Sequence, residues 1–166
     1  MTFTPTGRLF RTGEGSDLVL SRTFRAPAED VWASITEPDR TARWFGPWEG
    51  HGAPGQTIKV RMVFEEQSPW YELRIEACEP PRRLAVSSLD ESGAWRVELL
   101  LEERDGTTEL RFVHHLDSED MIGEVGPGWE YYLDMLVAAR DGSPTPDFDD
   151  YYPSMRPHFL GLSQQG

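Results

Sequence analysis

The stretch "GPGWEYYLDMLVAAR", residues 126–140, decides the fold because it carries the one long helical pattern in the sequence. Apolar residues recur there at spacings of three and four, which is typical of an amphipathic helix with a single buried face. The predicted buried face consists of Trp129, Tyr132, Leu133, Leu136 and Val137, with Glu130 and Asp134 lying off it. Pro127 fits the start of a helix, and Gly142 lies just beyond its end. We therefore predict a helix over residues 128–140 whose apolar face packs on another layer of structure.

Between Gln56 and His115, apolar and charged residues alternate with a period of two, which predicts about five β-strands. The segment "RDGT", residues 104–107, is a hairpin signal between two of them. One apolar and one charged face is the pattern of an antiparallel sheet that is covered on one side. The residues predicted on the covered side include Ile58, Val60, Met62, Phe64, Tyr71, Leu73, Ile75, Trp95, Val97, Leu99, Leu110, Phe112 and His114. The predicted helix is the element long enough to cover them.

The N-terminal part of the chain predicts a hairpin followed by two short helices. The extended runs 8–12 and 18–25 flank the turn-rich segment "GEGSD", which indicates a β-hairpin. Pro27 and the acids after it fit the first turn of one helix, and a second helix begins at Pro38 and ends near Trp44. The predicted fold class is α+β, with a curved antiparallel sheet wrapped around a long C-terminal helix and two short helices after the first strands.

We interpret residues 1–142 as a single domain with an N-terminal hairpin, and residues 143–166 as a C-terminal tail. The tail is rich in proline, and its aromatic residues are Phe148, Tyr151, Tyr152 and Phe159. Disordered segments are usually poor in aromatic residues, so we expect the tail to pack on the domain. A free tail that binds a partner is the alternative.

The net charge of -13 disfavours two classes of partner. So acidic a chain repels phosphate backbones and anionic lipid headgroups, and it offers no basic stripe to nucleic acid. Cys78 is the only cysteine, so no disulfide can form within the chain. The N-terminus lacks a secretory pattern, and no apolar run approaches the roughly 20 residues that span a bilayer. We expect a soluble, cytoplasmic protein that neither binds nucleic acid nor inserts into a membrane.

Signals for metal, nucleotide and hydrolytic sites are weak. The histidines do not supply three or four converging zinc ligands. The acidic run at 147–150 lacks the glycine and the terminal glutamate of a calcium loop, and the glycines at 123–128 lack the lysine of a phosphate loop. No Gly-x-Ser-x-Gly elbow is present. We therefore expect no metal and no cofactor. His114 is the histidine of interest because it faces the covered side, although a structural role is favoured there.

Arg22 shares a strand face with Phe24 and is therefore predicted to point inward. A charge in that position needs a partner. It either anchors an anionic ligand or forms a structural ion pair, and the ion pair is favoured because buried charges are normally paired.

The segment "LSRTFRAPAEDVWASITEPDRTARWFGPWEG", residues 20–50, and the stretch at 126–140 resemble a known family. The resemblance is to bacterial proteins of the activator-of-heat-shock-protein-90-ATPase homologue family, AHSA-like members of the START/SRPBCC superfamily. It covers about residues 8 to 140, and its most specific parts are Arg22-Thr23-Phe24, Ala26-Pro27, Val31-Trp32, Pro38, Trp44-Phe45-Gly46-Pro47 and Gly128-Trp129. It implies a helix-grip fold of the Bet v type, an incomplete antiparallel barrel around the last helix with an apolar cavity between them. It does not imply one activity, because the superfamily includes lipid carriers, polyketide cyclases, hormone receptors and chaperone cofactors.

The function inferred first is the binding of a small hydrophobic or amphipathic molecule in that cavity. The predicted lining residues are Trp44, Phe45, Trp48, Val60, Met62, Tyr71, Leu73, Trp95, Val97, Phe112, His114, Trp129, Tyr132, Leu133 and Leu136. The same side chains would instead fill the core if the interior is fully packed. We interpret Trp44 as a structural plug, and Phe45 and Trp48 as residues of the cavity rim.

Two other classes of function stay open. One is a cyclase, dehydratase or hydrolase acting on an aromatic or polyketide-like substrate, with His114, Tyr71 or Tyr132 as weak catalytic candidates. Such an enzyme needs at least two converging polar side chains. The other is an interaction module for a chaperone or a stress-related regulator. The eukaryotic chaperone activator has a further N-terminal domain for which this sequence has no room, so direct stimulation of a chaperone is not expected. A homodimer formed through edge strands is a further alternative.

Overall fold

The alternating segments form an antiparallel β-sheet in the computed structural model, which describes residues 4–13, 15–90 and 93–164, without the side chains of residues 89, 90 and 93–95. The strands are β1 (Arg8–Thr12), β2 (Gly15–Phe24), β3 (Trp48–Gly50), β4 (Thr57–Arg61), β5 (Trp70–Glu79), β6 (Arg83–Asp90), β7 (Gly93–Arg104) and β8 (Thr107–Leu116). The helices are α1 (Ala28–Thr36), α2 (Pro38–Thr41), α3 (Ile122–Asp141) and α4 (Arg156–Gln164), with a 3₁₀ turn at Phe148–Asp150. The curved sheet and the long α3 confirm the predicted α+β helix-grip architecture.

The strands follow the order β1-β2-β8-β7-β6-β5-β4-β3 across the sheet. Each neighbouring pair is antiparallel, and the register aligns the apolar alternation of one strand with that of the next. Phe112 of β8 lies opposite Leu20 of β2 and Leu99 of β7. His114, two residues further along β8, lies opposite Val97. The central strands therefore present a continuous covered face to α3.

Helix α3 begins at Ile122, which is earlier than the predicted start at Gly128. Proline lacks an N–H group and is common in first turns, so Pro127 is a local signal for a helix start. Ile122 is fully buried, and the glycines before the proline allow a close crossing with α4. A β-carbon on Gly126 would lie 2.4 Å from the ring of Phe159. Tertiary packing therefore extends the helix beyond its local start signal, whereas Gly142, with a φ of 70°, ends it as predicted.

The back of α3 is also covered, which the amphipathic pattern did not predict. Glu130, expected to lie off the buried face, is 1% exposed. Its carboxylate accepts hydrogen bonds from the backbone N–H groups of Thr6 and Gly7, and it pairs with Arg22 at 2.9 Å. The N-terminal segment therefore lies against the helix and buries a charged side chain of its outer face.

The chain after α3 returns along the back of the helix, the side against which the N-terminal segment lies. Tyr151 and Phe159 are both fully buried. The tyrosine hydroxyl donates to Oδ2 of Asp134 at 2.6 Å, and the phenylalanine ring lies against Gly7 and Gly126. These contacts join both ends of the described chain to the back of α3.

Strand β4 ends at Arg61, so the prediction that Phe64 lies on the covered face is wrong. Residues 62–69 form a loop between β4 and β5, and Phe64 is exposed there. Gln67 and Ser68 in this loop have φ angles of 68° and 44°. Those left-handed conformations interrupt the extended backbone that the period-two pattern assumed.

Candidate functional site

A cavity lies between α3 and the covered face of the sheet, and it has two adjoining compartments. The inner compartment has a volume of about 300 Å³ and is bordered by α3, the sheet and the two short helices. The outer compartment has a volume of about 690 Å³ and lies between the first half of α3 and the β4–β5 loop. The interior is therefore not completely filled by the side chains that cover the sheet.

Most of the predicted lining residues come together around the inner compartment. They are Trp44, Phe45, Trp48, Val60, Leu73, Val97, Phe112, Trp129, Tyr132 and Leu133. The sequence-based set missed other residues that line it, namely Trp32, Ile35, Thr36, Thr41, Gly46, Gly52, Ile58, Ile75, Cys78, Leu84, Val86 and Leu99. The alternation had placed Ile58, Ile75 and Leu99 on the covered face, but it contains no signal for which covered residues border empty space.

The outer compartment brings in Met62, Tyr71 and His114 from the predicted set. It shares Phe45, Val60, Leu73, Trp129 and Tyr132 with the inner compartment. The ring of Phe45 lies 6.5 Å from that of Trp129 and 5.3 Å from that of Tyr132, measured between centroids. We call Phe45, Trp129 and Tyr132 the aromatic partition, because these neighbouring rings border both compartments.

Three of the predicted site residues are not placed on the wall of the cavity. Leu136 is fully buried and lines neither compartment, and the side chain of Trp95 lies outside the described residues. Arg22 lies at the back of α3, where it pairs with Glu130 and Asp134 at 2.9 Å each. Burial opposes its charge, but the two carboxylates raise the pKa of Arg22 above its ordinary value. The guanidinium of Arg22 therefore forms a structural ion pair, which the sequence favours over an anchor for an anionic ligand.

Trp44 and Trp48 are both held by hydrogen bonds to backbone carbonyls at the end of α1. Nε1 of Trp44 donates to the carbonyl of Ser34, and Nε1 of Trp48 donates to that of Thr36, each at 2.8 Å. Trp44 is buried, whereas Trp48 is half-buried. Phe45, expected at the rim, is half-buried like Trp48 and belongs to the aromatic partition. The loop after α2 and the start of β3 therefore supply three aromatic residues to the cavity wall.

His114 supports the aromatic partition from the sheet. Its Nδ1 accepts a hydrogen bond from Nε1 of Trp129 at 3.1 Å. Burial, together with the nearby charge of His115, lowers the pKa of His114 to about 4, against an opposing effect of Asp117. The imidazole is therefore neutral at neutral pH and serves as an acceptor for the indole.

Tyr132 and Glu65 form a polar contact across the outer compartment. The tyrosine hydroxyl donates to Oε2 of Glu65 at 2.8 Å and so joins α3 to the β4–β5 loop. Burial and the Glu65 carboxylate both raise the pKa of Tyr132, which keeps its hydroxyl protonated. Glu65 was not predicted, because the strand pattern had been continued over this loop. The polar run "EEQSP" at 65–69, which ends in proline, is the loop signal that locates it.

Acidification is expected to destabilise the folded protein through His114. The pKa of this residue is about 4 in the folded state, compared with about 6.5 in an unfolded chain, so the unfolded chain takes up the proton first as the pH falls. The free energy of unfolding should therefore decrease from about pH 6.5 towards about pH 4. Urea denaturation should show a smaller decrease for His114→Gln. His51→Gln, at an exposed position, is the control, and equal pH dependence in all three proteins would contradict this assignment.

A polar groove of about 740 Å³ lies on the opposite face of the sheet. His115 stands there between Asp17 and Glu98, each with a carboxylate oxygen 2.7 Å from a ring nitrogen. Burial opposes protonation, but these carboxylates raise the pKa of His115. Arg83 also pairs with Glu98, at 2.9 Å. Because these groups pair with one another, we interpret the groove as the charged outer surface of the sheet.

In the part of the chain that the structure describes, no group of three or more His, Cys, Asp or Glu side chains is arranged to hold a metal ion. None of the helices described there has both the length and the apolar character needed to cross a membrane.

Residues 25–140 match the family described as activator of Hsp90 ATPase homolog 1-like protein. The crystal structure of CalU16 from Micromonospora echinospora is 28% identical in sequence, has a TM-score of 0.78 and overlaps 98% of each chain. The solution NMR structure of CalU16 gives 27% identity and a TM-score of 0.77, over 98% of this chain and 96% of that one. The protein encoded by gene BPP1335 from Bordetella parapertussis shares the fold, with 22% identity and a TM-score of 0.72 over 100% and 96% of the two chains. None of the curated proteins compared with the chain matches it.

Proposed function

Because the chain belongs to the family of activator of Hsp90 ATPase homolog 1-like proteins, we propose that it binds a small hydrophobic or amphipathic molecule between α3 and the sheet. Proteins of the wider superfamily typically bind small hydrophobic ligands. The observation that carries the proposal is the inner compartment, a space of about 300 Å³ with mainly apolar walls. Protein interiors are normally packed with few voids larger than a water molecule, so a space of this size favours an occupant.

The walls favour a flat, ring-containing ligand. Ligand sites usually have volumes of about 300 to 1,000 Å³, so the inner compartment suits a small molecule. Trp48, Phe112 and Trp129 present aromatic rings to it. Aromatic rings gain from offset stacking and edge-to-face contacts with one another, in addition to the gain from burial. A larger ligand would extend past the aromatic partition into the outer compartment.

The polar groups of the cavity support binding more than catalysis. General acid–base catalysis works best when the pKa of the catalytic group lies near the operating pH. The pKa of His114 is lowered to about 4 and that of Tyr132 is raised, so neither group changes its protonation near neutral pH. Both side chains instead hold neighbours in place, Trp129 in one case and Glu65 in the other.

Cys78 provides a direct test, because it is the only cysteine and it lines the inner compartment. Burial raises the pKa of its thiol, so labelling requires mildly alkaline pH. The neutral aromatic probe N-phenyl-1-naphthylamine should fluoresce when bound and should protect Cys78 from a small uncharged maleimide. At a probe concentration about ten times the dissociation constant, labelling is expected to slow by about tenfold.

A substitution that fills the inner compartment gives the second part of the test. Cys78→Trp places an indole in that space and should abolish the fluorescence of the bound probe. Arg74→Trp is the matched control, because Arg74 lies on the same strand but is exposed on the outer face. It should leave probe binding unchanged. Unprotected labelling of Cys78, or normal probe binding by the Cys78→Trp variant, would overturn the proposal.

A further inference from the structure

The wall of the outer compartment combines aromatic rings with acidic side chains. Tyr71, Trp129 and Tyr132 border the compartment, and Glu65 and Asp117 supply carboxylates. Among the described residues that line this compartment there is no lysine or arginine. The polar end of an amphipathic ligand would therefore meet acceptors and ring faces at this place.

Glu65 is the charge best placed to meet a ligand. Asp117 is 67% exposed in its side chain and pairs with Arg96 at 3.6 Å, so its charge is screened and partly neutralised. His115 also borders the compartment, but both of its ring nitrogens are engaged by carboxylates on the outer face of the sheet. Glu65 is half-buried, and in the described part of the chain it makes no ion pair. The partner that the structure gives it is the neutral hydroxyl of Tyr132.

The β4–β5 loop holds the Glu65 backbone in a defined position. The N–H group of Glu65 donates to the carbonyl of Met62, and the N–H group of Ser68 donates to the carbonyl of Glu65, each at 3.0 Å. Gln67 and Ser68 both have left-handed φ angles, which are costly for residues other than glycine. Such conformations persist where the surrounding structure requires them, and they concentrate at ligand sites.

We propose that the ligand is an amphipathic cation, with a flat apolar body in the inner compartment and a protonated amine beside Glu65. This inference rests on the proposed function and names its ligand class. An ammonium group only donates hydrogen bonds and a carboxylate only accepts them, so the two are complementary. Aromatic ring faces such as those of Tyr71 and Trp129 also attract cations. The net charge of -13 favours the approach of a cation over that of an anion.

Three probes of similar shape test the ligand class: 1-naphthylmethylamine, 1-naphthylmethanol and 1-naphthoate. At neutral pH they are a cation, a neutral alcohol and an anion. Competition with N-phenyl-1-naphthylamine is expected to rank them in that order. The cation should bind about tenfold more tightly than the alcohol, as a partly desolvated contact with a carboxylate and ring faces implies.

The Glu65→Gln variant should lose this preference for the cation, and Glu66→Gln should keep it. Glu66 is an exposed neighbour on the same loop that does not line the compartment, so its substitution makes the same change in net charge. Equal affinities for the three probes in the wild-type protein, or the same effect from both substitutions, would overturn the assignment of a cation. If N-phenyl-1-naphthylamine still binds in that case, only the ligand class is wrong. If it does not bind to the wild-type protein, the proposed function is wrong as well.

Discussion

Replacement of Phe159 with Ala is expected to lower the free energy of unfolding by about 3 to 5 kcal/mol, the usual cost of removing a buried aromatic ring. The ring is fully buried although it belongs to the C-terminal segment. It lies against Gly7 and Gly126, where an added β-carbon would come within 2.4 Å of its atoms. The substitution would leave a cavity where the N-terminal segment, α3 and α4 meet. Urea denaturation measures the loss directly.

Two further variants define what the ring contributes. Gln164→Ala, at an exposed position of the same helix, should change the free energy of unfolding by less than about 0.5 kcal/mol. Gly126→Ala should destabilise the wild-type protein, because the new methyl group meets the Phe159 ring. In the Phe159→Ala background the ring is absent, so that cost should disappear. Alanine also favours a helix more than glycine does. A loss of less than about 1 kcal/mol for Phe159→Ala, or additive costs in the double variant, would contradict this packing.

The fold could be predicted where local patterns and tertiary packing agree. The alternation of β7 and β8 placed Val97 and Phe112 on the covered face, because successive side chains of a strand point to opposite sides. Gly142 marked the end of α3, since a left-handed residue there suits glycine. The start of α3 could not be predicted from Pro127. It depends on the burial of Ile122 and on the crossing with α4, which no local pattern contains.

The candidate site could be predicted only in part, for a related reason. Alternation identifies Leu73 as a residue of the covered face, but whether that face meets side chains or empty space depends on the curvature of several strands. Glu65 and Glu130 were missed because distant segments give them their roles. Glu65 is 67 positions from Tyr132 in the sequence, and Glu130 is 123 positions from Gly7. The chemistry of such carboxylates follows from the tertiary fold and not from their neighbours in sequence.

Replacement of Glu130 with Leu is expected to lower the free energy of unfolding by about 3 to 5 kcal/mol, as for other buried ion pairs that lose one partner. The carboxylate is 1% exposed and accepts hydrogen bonds from the N–H groups of Thr6 and Gly7. It also pairs with Arg22 at 2.9 Å. Leucine has a similar volume but no acceptor, so the two amides lose their partner and Asp134 becomes the one carboxylate that still pairs with Arg22. Urea denaturation measures the cost, with Asp141→Ala at an exposed position of α3 as the control.

A double-mutant cycle then tests whether Arg22 belongs to the fold or to a ligand. Arg22→Met alone leaves Glu130 buried without its cation, whereas the double variant with Glu130→Leu removes both charges and replaces them with apolar side chains. Such paired replacements are often close to neutral, so the double variant should lose about 0.5 to 3 kcal/mol less than the sum of the single variants. Additive costs would mean that the two side chains do not interact, and they would return Arg22 to the role of an anion anchor. A cost smaller than the sum means that the guanidinium is already engaged by α3. The donors that hold Glu130 and Asp134 are then not available to a ligand anion.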